Sequence, residues 1–261
     1  MAATADGKDI IPGCEPWSAP GGPHGALVLH GYTGSPQSVR GLAEALHEAG
    51  FAVELPLLPG HGTSVDDLAD TTWDDWSATA EGAYQSLAGR VDKVVVAGLS
   101  MGGALTLWLA ARHPELAGIV CINPVVDLGA ELVDGIRQML DGGADRMPAI
   151  GSDVADPAAQ EKAYDATPLR PLLSAADAAA EGLDDLVKVA CPVLLMTSPQ
   201  DHVVDPRNSD VAAERVSGPV ERVTLERSYH VATLDYDKDV IFERSVEFAR
   251  RVTGDALTGD G

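Results

Sequence analysis

One pentapeptide constrains this chain more than any other stretch. Gly98-Leu99-Ser100-Met101-Gly102 follows Val94-Val95-Val96-Ala97 and leads into Gly103-Ala104-Leu105-Thr106-Leu107-Trp108-Leu109-Ala110-Ala111. The first run is small and β-branched and suits a strand buried on both faces. The last suits a buried helix. Gly-x-Ser-x-Gly lodged between such elements forms a sharp turn that lifts a serine hydroxyl above a sheet edge. Gly98 and Gly102 remove the Cβ atoms that would clash where strand and helix nearly touch. The first amides of the helix then lie beside the serine, where negative charge would develop. Ser100 is therefore the candidate nucleophile.

The same alternation recurs along the chain. Residues 1–20 hold Pro12, Pro16 and Pro20 and read as an irregular or edge-strand lead-in. Strands are expected at 25–30, 51–55, 118–122, 193–197 and 222–226. Helices are expected from Ser35-Pro36 to about Ala49, from Thr72 to Leu87, from Pro206 to Val216 and from Asp237 to Arg251. Strands separated by helices of this length indicate βαβ units. The fold class is α/β, with a mostly parallel central sheet flanked by helices. Residues 125–188 break the rhythm: they are rich in Ala, Asp, Gly and Leu, carry short helical patterns and contain no central strand. The expected organisation is one domain, with a core at 1–124 and 189–261 and a small helical cap inserted at 125–188.

Composition narrows the class. A chain of 261 residues that is 45% hydrophobic can build a large core. No apolar run approaches the roughly 18 residues of a membrane span. The first residues lack the basic and apolar regions of a signal peptide. Cys14, Cys121 and Cys191 make an odd count, read as buried reduced thiols in a cytoplasmic protein. No Cys-His spacing resembles a metal site. The net charge is −22, which argues against nucleic acid and anionic lipid as partners. At most, the cap touches a membrane surface transiently.

A serine nucleophile needs a base, and the base needs an orienting acid. Both should come from loops at the carboxyl ends of strands, in the order serine, acid, histidine. His24, His47 and His113 fall on helix or loop surfaces and read as solvated. His30 and His61 precede glycines in loops, and His202 follows a candidate acid. His230 alone lies in the loop after the last strand and is the candidate base. Asp201, in the loop after strand 193–197, is the preferred acid. Asp205 precedes Pro206 and is explained as a helix cap. Asp127, in the loop after strand 118–122, is the second rival. The oxyanion needs two backbone N–H donors. Met101 follows the nucleophile. Tyr32 lies in the Gly-rich loop His30-Gly31-Tyr32-Thr33-Gly34.

These segments resemble the α/β-hydrolase family and, within it, the bacterial carboxylesterase and monoacylglycerol lipase group. The resemblance runs from about residue 25 to 250. It is carried by Leu29-His30-Gly31-Tyr32-Thr33-Gly34, Pro59-Gly60-His61-Gly62-Thr63, Gly98-Leu99-Ser100-Met101-Gly102-Gly103, Asp201-His202-Val203-Val204 and Ser228 to Tyr236. It implies Ser100, Asp201 and His230 as a triad and the Tyr32 and Met101 amides as an oxyanion hole. Family members often carry Phe where Tyr32 stands, which makes a more polar acyl-pocket wall an expectation here. In the cap, Ile150-Gly151-Ser152-Asp153, Pro157, Glu161 and Ala163-Tyr164 also match. The resemblance suggests that Ile150 lines the acyl entrance and that Glu161 faces a glycerol head group; the plainer reading of Glu161 is a solvated helix charge.

The expected activity is hydrolysis of carboxylic esters through an acyl-serine, with a monoacylglycerol as preferred small-molecule substrate and with no cofactor or metal. The same triad would serve a broad carboxylesterase, a thioesterase or an amidase. A non-catalytic binding protein of this fold would be expected to lack a triad member. Dehalogenase and epoxide-hydrolase chemistry needs an aspartate where Ser100 stands.

Overall fold

A computed structural model describes residues 2–149 and 151–254. Seven strands form one sheet in the order β1-β3-β2-β4-β5-β8-β9. They are β1 (Trp17–Ala19), β2 (His24–Leu29), β3 (Ala52–Leu55), β4 (Lys93–Leu99), β5 (Gly118–Ile122), β8 (Val193–Thr197) and β9 (Val220–Thr224). Only β1 runs antiparallel, pairing Ser18 with Glu54 at the sheet edge. All other pairings are parallel.

Period-two alternation sorts the strand residues onto two faces. Leu27, Leu29, Val94 and Val96 pack with Trp76, Tyr84 and Leu87 of α3 (Trp73–Ala88) and with Leu105 and Leu109 of α4 (Met101–Ala110). Ala26, Val28, Val95 and Ala97 face the other way. They pack against Val39, Leu42 and Leu46 of α1 (Pro36–Glu48) and Ile241 and Phe248 of α8 (Lys238–Thr253). Leu27, Leu42 and Trp76 are fully buried, each burial contributing about 2 kcal/mol or more. The helix starts carry the expected chemistry. The Ser35 hydroxyl accepts from the Gln37 amide at 3.3 Å with Pro36 in the first turn, and the Asp75 carboxylate accepts from the Thr72 amide at 2.8 Å.

Residues 125–188 contribute no strand to this sheet. They contain α5 (Ala130–Asp141), β6 (Arg146–Pro148), β7 (Ala166–Pro168), α6 (Leu169–Gly182) and a 3-10 turn at Leu183–Lys188. β6 and β7 form their own antiparallel ladder. Between the two strands, residues 149 and 151–165 are irregular, with Ile150 outside the described residues. Glu161 therefore sits on irregular backbone, not on a helix. A one-turn helix at α2 (Val65–Ala69) and α7 (Arg207–Arg215) complete the fold.

The expected last strand starts two residues early. β9 pairs Val193 with Val220 and Thr197 with Thr224, and Leu225 then turns its buried side chain into the core. His113 is not solvated either: its two ring nitrogens lie 2.9 Å from Glu81 and 3.1 Å from Glu115. No helix among the described residues is long and apolar enough to cross a membrane.

Candidate active site

Ser100 stands between β4 and α4 with φ 58° and ψ −118°. A non-glycine residue holds such a backbone only where the surroundings impose it, at a cost of about 1–3 kcal/mol. The surroundings are visible. A Cβ on Gly98 would lie 2.1 Å from the Gly102 carbonyl oxygen, and one on Gly102 would lie 2.2 Å from that of Leu29. Strand and helix can approach this closely only over glycine. The Ser100 amide donates to the Ile122 carbonyl at 3.0 Å, and its carbonyl accepts from Ala104 at 3.1 Å and Val125 at 3.2 Å.

The loops after β8 and β9 bring Asp201 and His230 together. His230 Nδ1 lies 2.7 Å from Asp201 Oδ2, and the two side chains are only 8% and 2% exposed. The other carboxylate oxygen, Oδ1, accepts from the Val203 and Val204 amides at 2.8 Å each. With Nδ1 donating to Asp201, Nε2 is left as the proton acceptor. Ser100 and His230 line one cavity of about 150 Å³.

The two rival acids lie elsewhere. Asp205 accepts from the Arg207 amide at 2.9 Å and pairs with the Arg207 guanidinium, as a residue at the start of α7 should. Asp127 is exposed and accepts from the Gly129 amide at 2.8 Å.

The loop after β2 runs against the nucleophile: a Cβ on Gly31 would stand 3.2 Å from Ser100 Cβ. This brings Tyr32, which follows, to the rim of the same cavity. Met101 is the first residue of α4, where a backbone N–H has no intrahelical acceptor. The Tyr32 hydroxyl donates to the Pro168 carbonyl at 2.7 Å, so the hydroxyl ties the loop to the start of α6 and is already engaged.

The cavity is lined by residues of two kinds. Trp73, Met101, Ala104, Val125, Leu128 and Leu172 line an apolar part. Glu161 and Asp153 lie on its wall as well. The Ser38 hydroxyl donates to Glu161 Oε1 at 2.6 Å, turning that carboxyl inward. Loss of water raises its pKa above the ordinary carboxyl value, while the Ser38 hydrogen bond and nearby His230 act in the opposite direction.

Two residues that frame the site were not singled out from sequence. Asn123, at the end of β5 with φ 43°, donates to the His230 carbonyl at 2.8 Å and accepts from the Ser198 amide at 2.8 Å. Its place at the carboxyl end of a central strand was the available signal. Asp153 accepts from the His230 amide at 3.0 Å. It lies in the Ile150-Gly151-Ser152-Asp153 segment that shares the family resemblance, which gives Asp153 no role of its own.

His30 and His61 are fully buried below the site. Their rings meet edge to face at 5.0 Å. His30 Nε2 accepts from the Leu58 amide at 3.1 Å, and burial pushes its pKa down to about 4. Burial and the His30 charge hold His61 well below its ordinary value too. Among the described residues, no group of three or more His, Cys, Asp or Glu is placed to hold a metal ion.

The chain is similar to known proteins over most of its length. A thermostable monoacylglycerol lipase from Bacillus sp. (strain H-257) is 45% identical over 249 residues, covering 94% of this chain and 98% of the relative. A carboxylesterase from Bacillus subtilis is 25% identical over 240 residues, covering 91% of this chain and 97% of the relative. A solved structure from work on LipS and LipT, two metagenome-derived lipolytic enzymes, superposes with a TM-score of 0.89 at 40% identity, covering 93% of this chain and all of that one. The family model Hydrolase_4, described as serine aminopeptidase, S33, matches residues 23–237. The chain belongs to that family of α/β-hydrolases.

Proposed function

We propose that this chain hydrolyses carboxylic esters, monoacylglycerols foremost, with Ser100 as nucleophile, His230 as base and Asp201 as its orienting acid. The observation that carries the reading is the buried 2.7 Å contact between His230 and Asp201, set in one cavity with a serine on a strained strand-to-helix turn. His230 Nε2 takes the Ser100 proton as Oγ attacks the ester carbonyl. The Tyr32 and Met101 amides receive the oxyanion. The alcohol leaves with the proton from His230, and water then repeats the sequence on the acyl-serine.

The segment 125–188 acts as the cap in this reading. Its apolar residues Leu128 and Leu172 line the wall on which an acyl chain would lie. Glu161 supplies the acceptor that two glycerol hydroxyls need once they leave water. Ile150, also suggested for the acyl entrance, lies outside the described residues. The monoacylglycerol lipase among the relatives supports the substrate choice.

A second reading follows from the family's description as an aminopeptidase. An inward carboxylate such as Glu161 would also hold the ammonium group of an aminoacyl amide. Initial rates on monoacylglycerols, nitrophenyl esters, acyl-thioesters and aminoacyl nitroanilides separate the two. The ester reading predicts kcat/KM for a monoacylglycerol well above that for any nitroanilide. The reverse order would replace it with the peptidase reading.

A further inference from the structure

His230 is fixed through its backbone as well as through its ring. Its carbonyl accepts from Asn123 Nδ2 at 2.8 Å, a contact from the core. Its amide donates to Asp153 Oδ2 at 3.0 Å, a contact from the irregular stretch between β6 and β7. Asp153 reaches further along both neighbouring loops. The same oxygen accepts from the His202 amide at 3.2 Å, Oδ1 lies 2.9 Å from His202 Nδ1, and the Asp153 carbonyl accepts from the Val231 amide at 3.0 Å.

The loop carrying His230 returns the contact. Asp235, fully buried, accepts from the Ala155 amide at 2.7 Å and the Asp156 amide at 3.0 Å, and also from Tyr229 at 2.9 Å. Each loop therefore places a carboxylate on the other's backbone amides. Charge-assisted bonds of this kind are the stronger class of hydrogen bond. The Asp153 side chain is 11% exposed and lies on the wall of the cavity that holds Ser100.

We infer that Asp153, on the cavity wall, is a positioning residue for His230: its carboxylate sets the main chain that carries the catalytic base. The inference rests on the serine-hydrolase reading above. Asp201 fixes the ring at Nδ1, and Asn123 holds the His230 carbonyl. Asp235 on the Tyr229 amide and the residue-153 carbonyl on the Val231 amide hold the flanking residues. Without the Asp153 carboxylate, however, the His230 amide itself loses its acceptor and Nε2 shifts relative to Ser100 Oγ. A misplacement of about 1 Å costs on the order of 100-fold in rate. Titratable side chains near His230 include Asp201, Glu161 and Asp153, with His202 held on Asp153. Of these, Asp153 is the one whose carboxylate accepts from the His230 main chain.

The test separates how many sites work from how fast each works. The purified full chain, Asp153→Ala and Asp153→Asn are labelled with a fluorophosphonate, recording the end point per chain and the labelling rate constant. Steady-state kcat and KM are measured on a nitrophenyl ester and a monoacylglycerol. Asp153→Ala is expected to reach full labelling with a rate constant at least about tenfold lower. Its kcat falls equally on both substrates and its KM changes little. Asp153→Asn keeps an acceptor oxygen for the His230 amide and is expected to stay within about threefold of the wild type. A reduced end point with an unchanged rate per labelled chain would make Asp153 a merely structural residue and overturn the inference. So would an Asn variant as slow as the Ala variant, because the acceptor would not be what matters. If Asp153→Ala is recovered unfolded, Asp153→Ser takes its place with the same expectations. A wild-type chain that takes no label would overturn the serine-hydrolase reading itself, and the inference with it.

Discussion

The catalytic candidates are held from two regions that are built differently. In the core, Ser100, Asn123 and Asp201 lie at or just past the carboxyl ends of β4, β5 and β8. Parallel pairing fixes those ends, with Leu99 beside Ile122 and Ile122 beside Met196. They cannot shift by a residue without unpairing the sheet. In the insertion, Asp153 and Glu161 stand on irregular backbone. There the placement rests on side-chain bonds to distant parts of the chain, such as Glu161 to Ser38 of α1 and Asp153 to the loop with His230. Bond-making groups belong on the rigid part. Groups that adjust the base, as inferred for Asp153, or that choose between substrates, as proposed for Glu161, can sit where the chain is free to vary.

The largest break in this comparison is expected from the core. Asp201→Asn leaves an acceptor for the Val203 and Val204 amides but presents the wrong partner to His230 Nδ1. kcat on a nitrophenyl ester should fall about 10⁴-fold, as when the acid of another serine triad is lost. A loss of that size in Asp205→Ala, with Asp201→Asn near the wild type, would show that the other acid orients His230.

The second effect tests the floor on which the core loops rest. The folded chain holds the His30 pKa down at about 4 from 6.5, because burial disfavours the charged ring. Between those values the unfolded chain takes up a proton that the folded chain refuses. Stability is therefore whole above about pH 6.5. It falls by about 1.4 kcal/mol per pH unit towards pH 4, roughly 3 kcal/mol in all. His61, shifted in the same direction, steepens the fall. Urea unfolding at pH 6, 5.5 and 5, inside that window, should approach this slope, and His30→Gln should reduce it by about 1 kcal/mol per unit. An unchanged slope in the variant would place the acid sensitivity elsewhere.

The insertion gives the third effect, and it should depend on the substrate. Losing a hydrogen bond to a charged group costs about 1.5–3 kcal/mol, or roughly 10- to 150-fold in kcat/KM. Glu161→Ala, which removes the acceptor, should lower kcat/KM for monoacylglycerols by at least about tenfold and for nitrophenyl esters by a much smaller factor. Equal losses on both would give Glu161 the same kind of role inferred for Asp153, and the contrast between the two acids would disappear. The smallest effect belongs to Asp205→Ala: about 1 kcal/mol of stability from the lost cap of α7, read by denaturant unfolding, with activity unchanged.

The sequence was legible where local rules decide the structure. β5 and β8 fall on the expected residues, and α1 begins at Pro36 behind the Ser35 cap. The loops with Asp201 and His230 could be located because strand ends and chain order locate them. β9 was harder. It is the last strand in the sheet order, and its apolar residues, Val220 and Val223, do not alternate cleanly with polar ones. The ladder of β6 and β7 has three residues per strand and a proline in each, too short to carry a period. Asn123 and Asp153 were missed because each acts through main-chain groups over 100 and 77 residues away in sequence. No local pattern encodes such a partner.

The central claim is that Ser100 is the nucleophile, and one measurement meets it directly. The chain is incubated with a fluorophosphonate, digested, and the adduct located by mass spectrometry, alongside Ser100→Ala under the same conditions. The account predicts one adduct, on the peptide containing Ser100, and neither label nor ester turnover in Ser100→Ala. An adduct on another residue, or label that persists in Ser100→Ala, would contradict it.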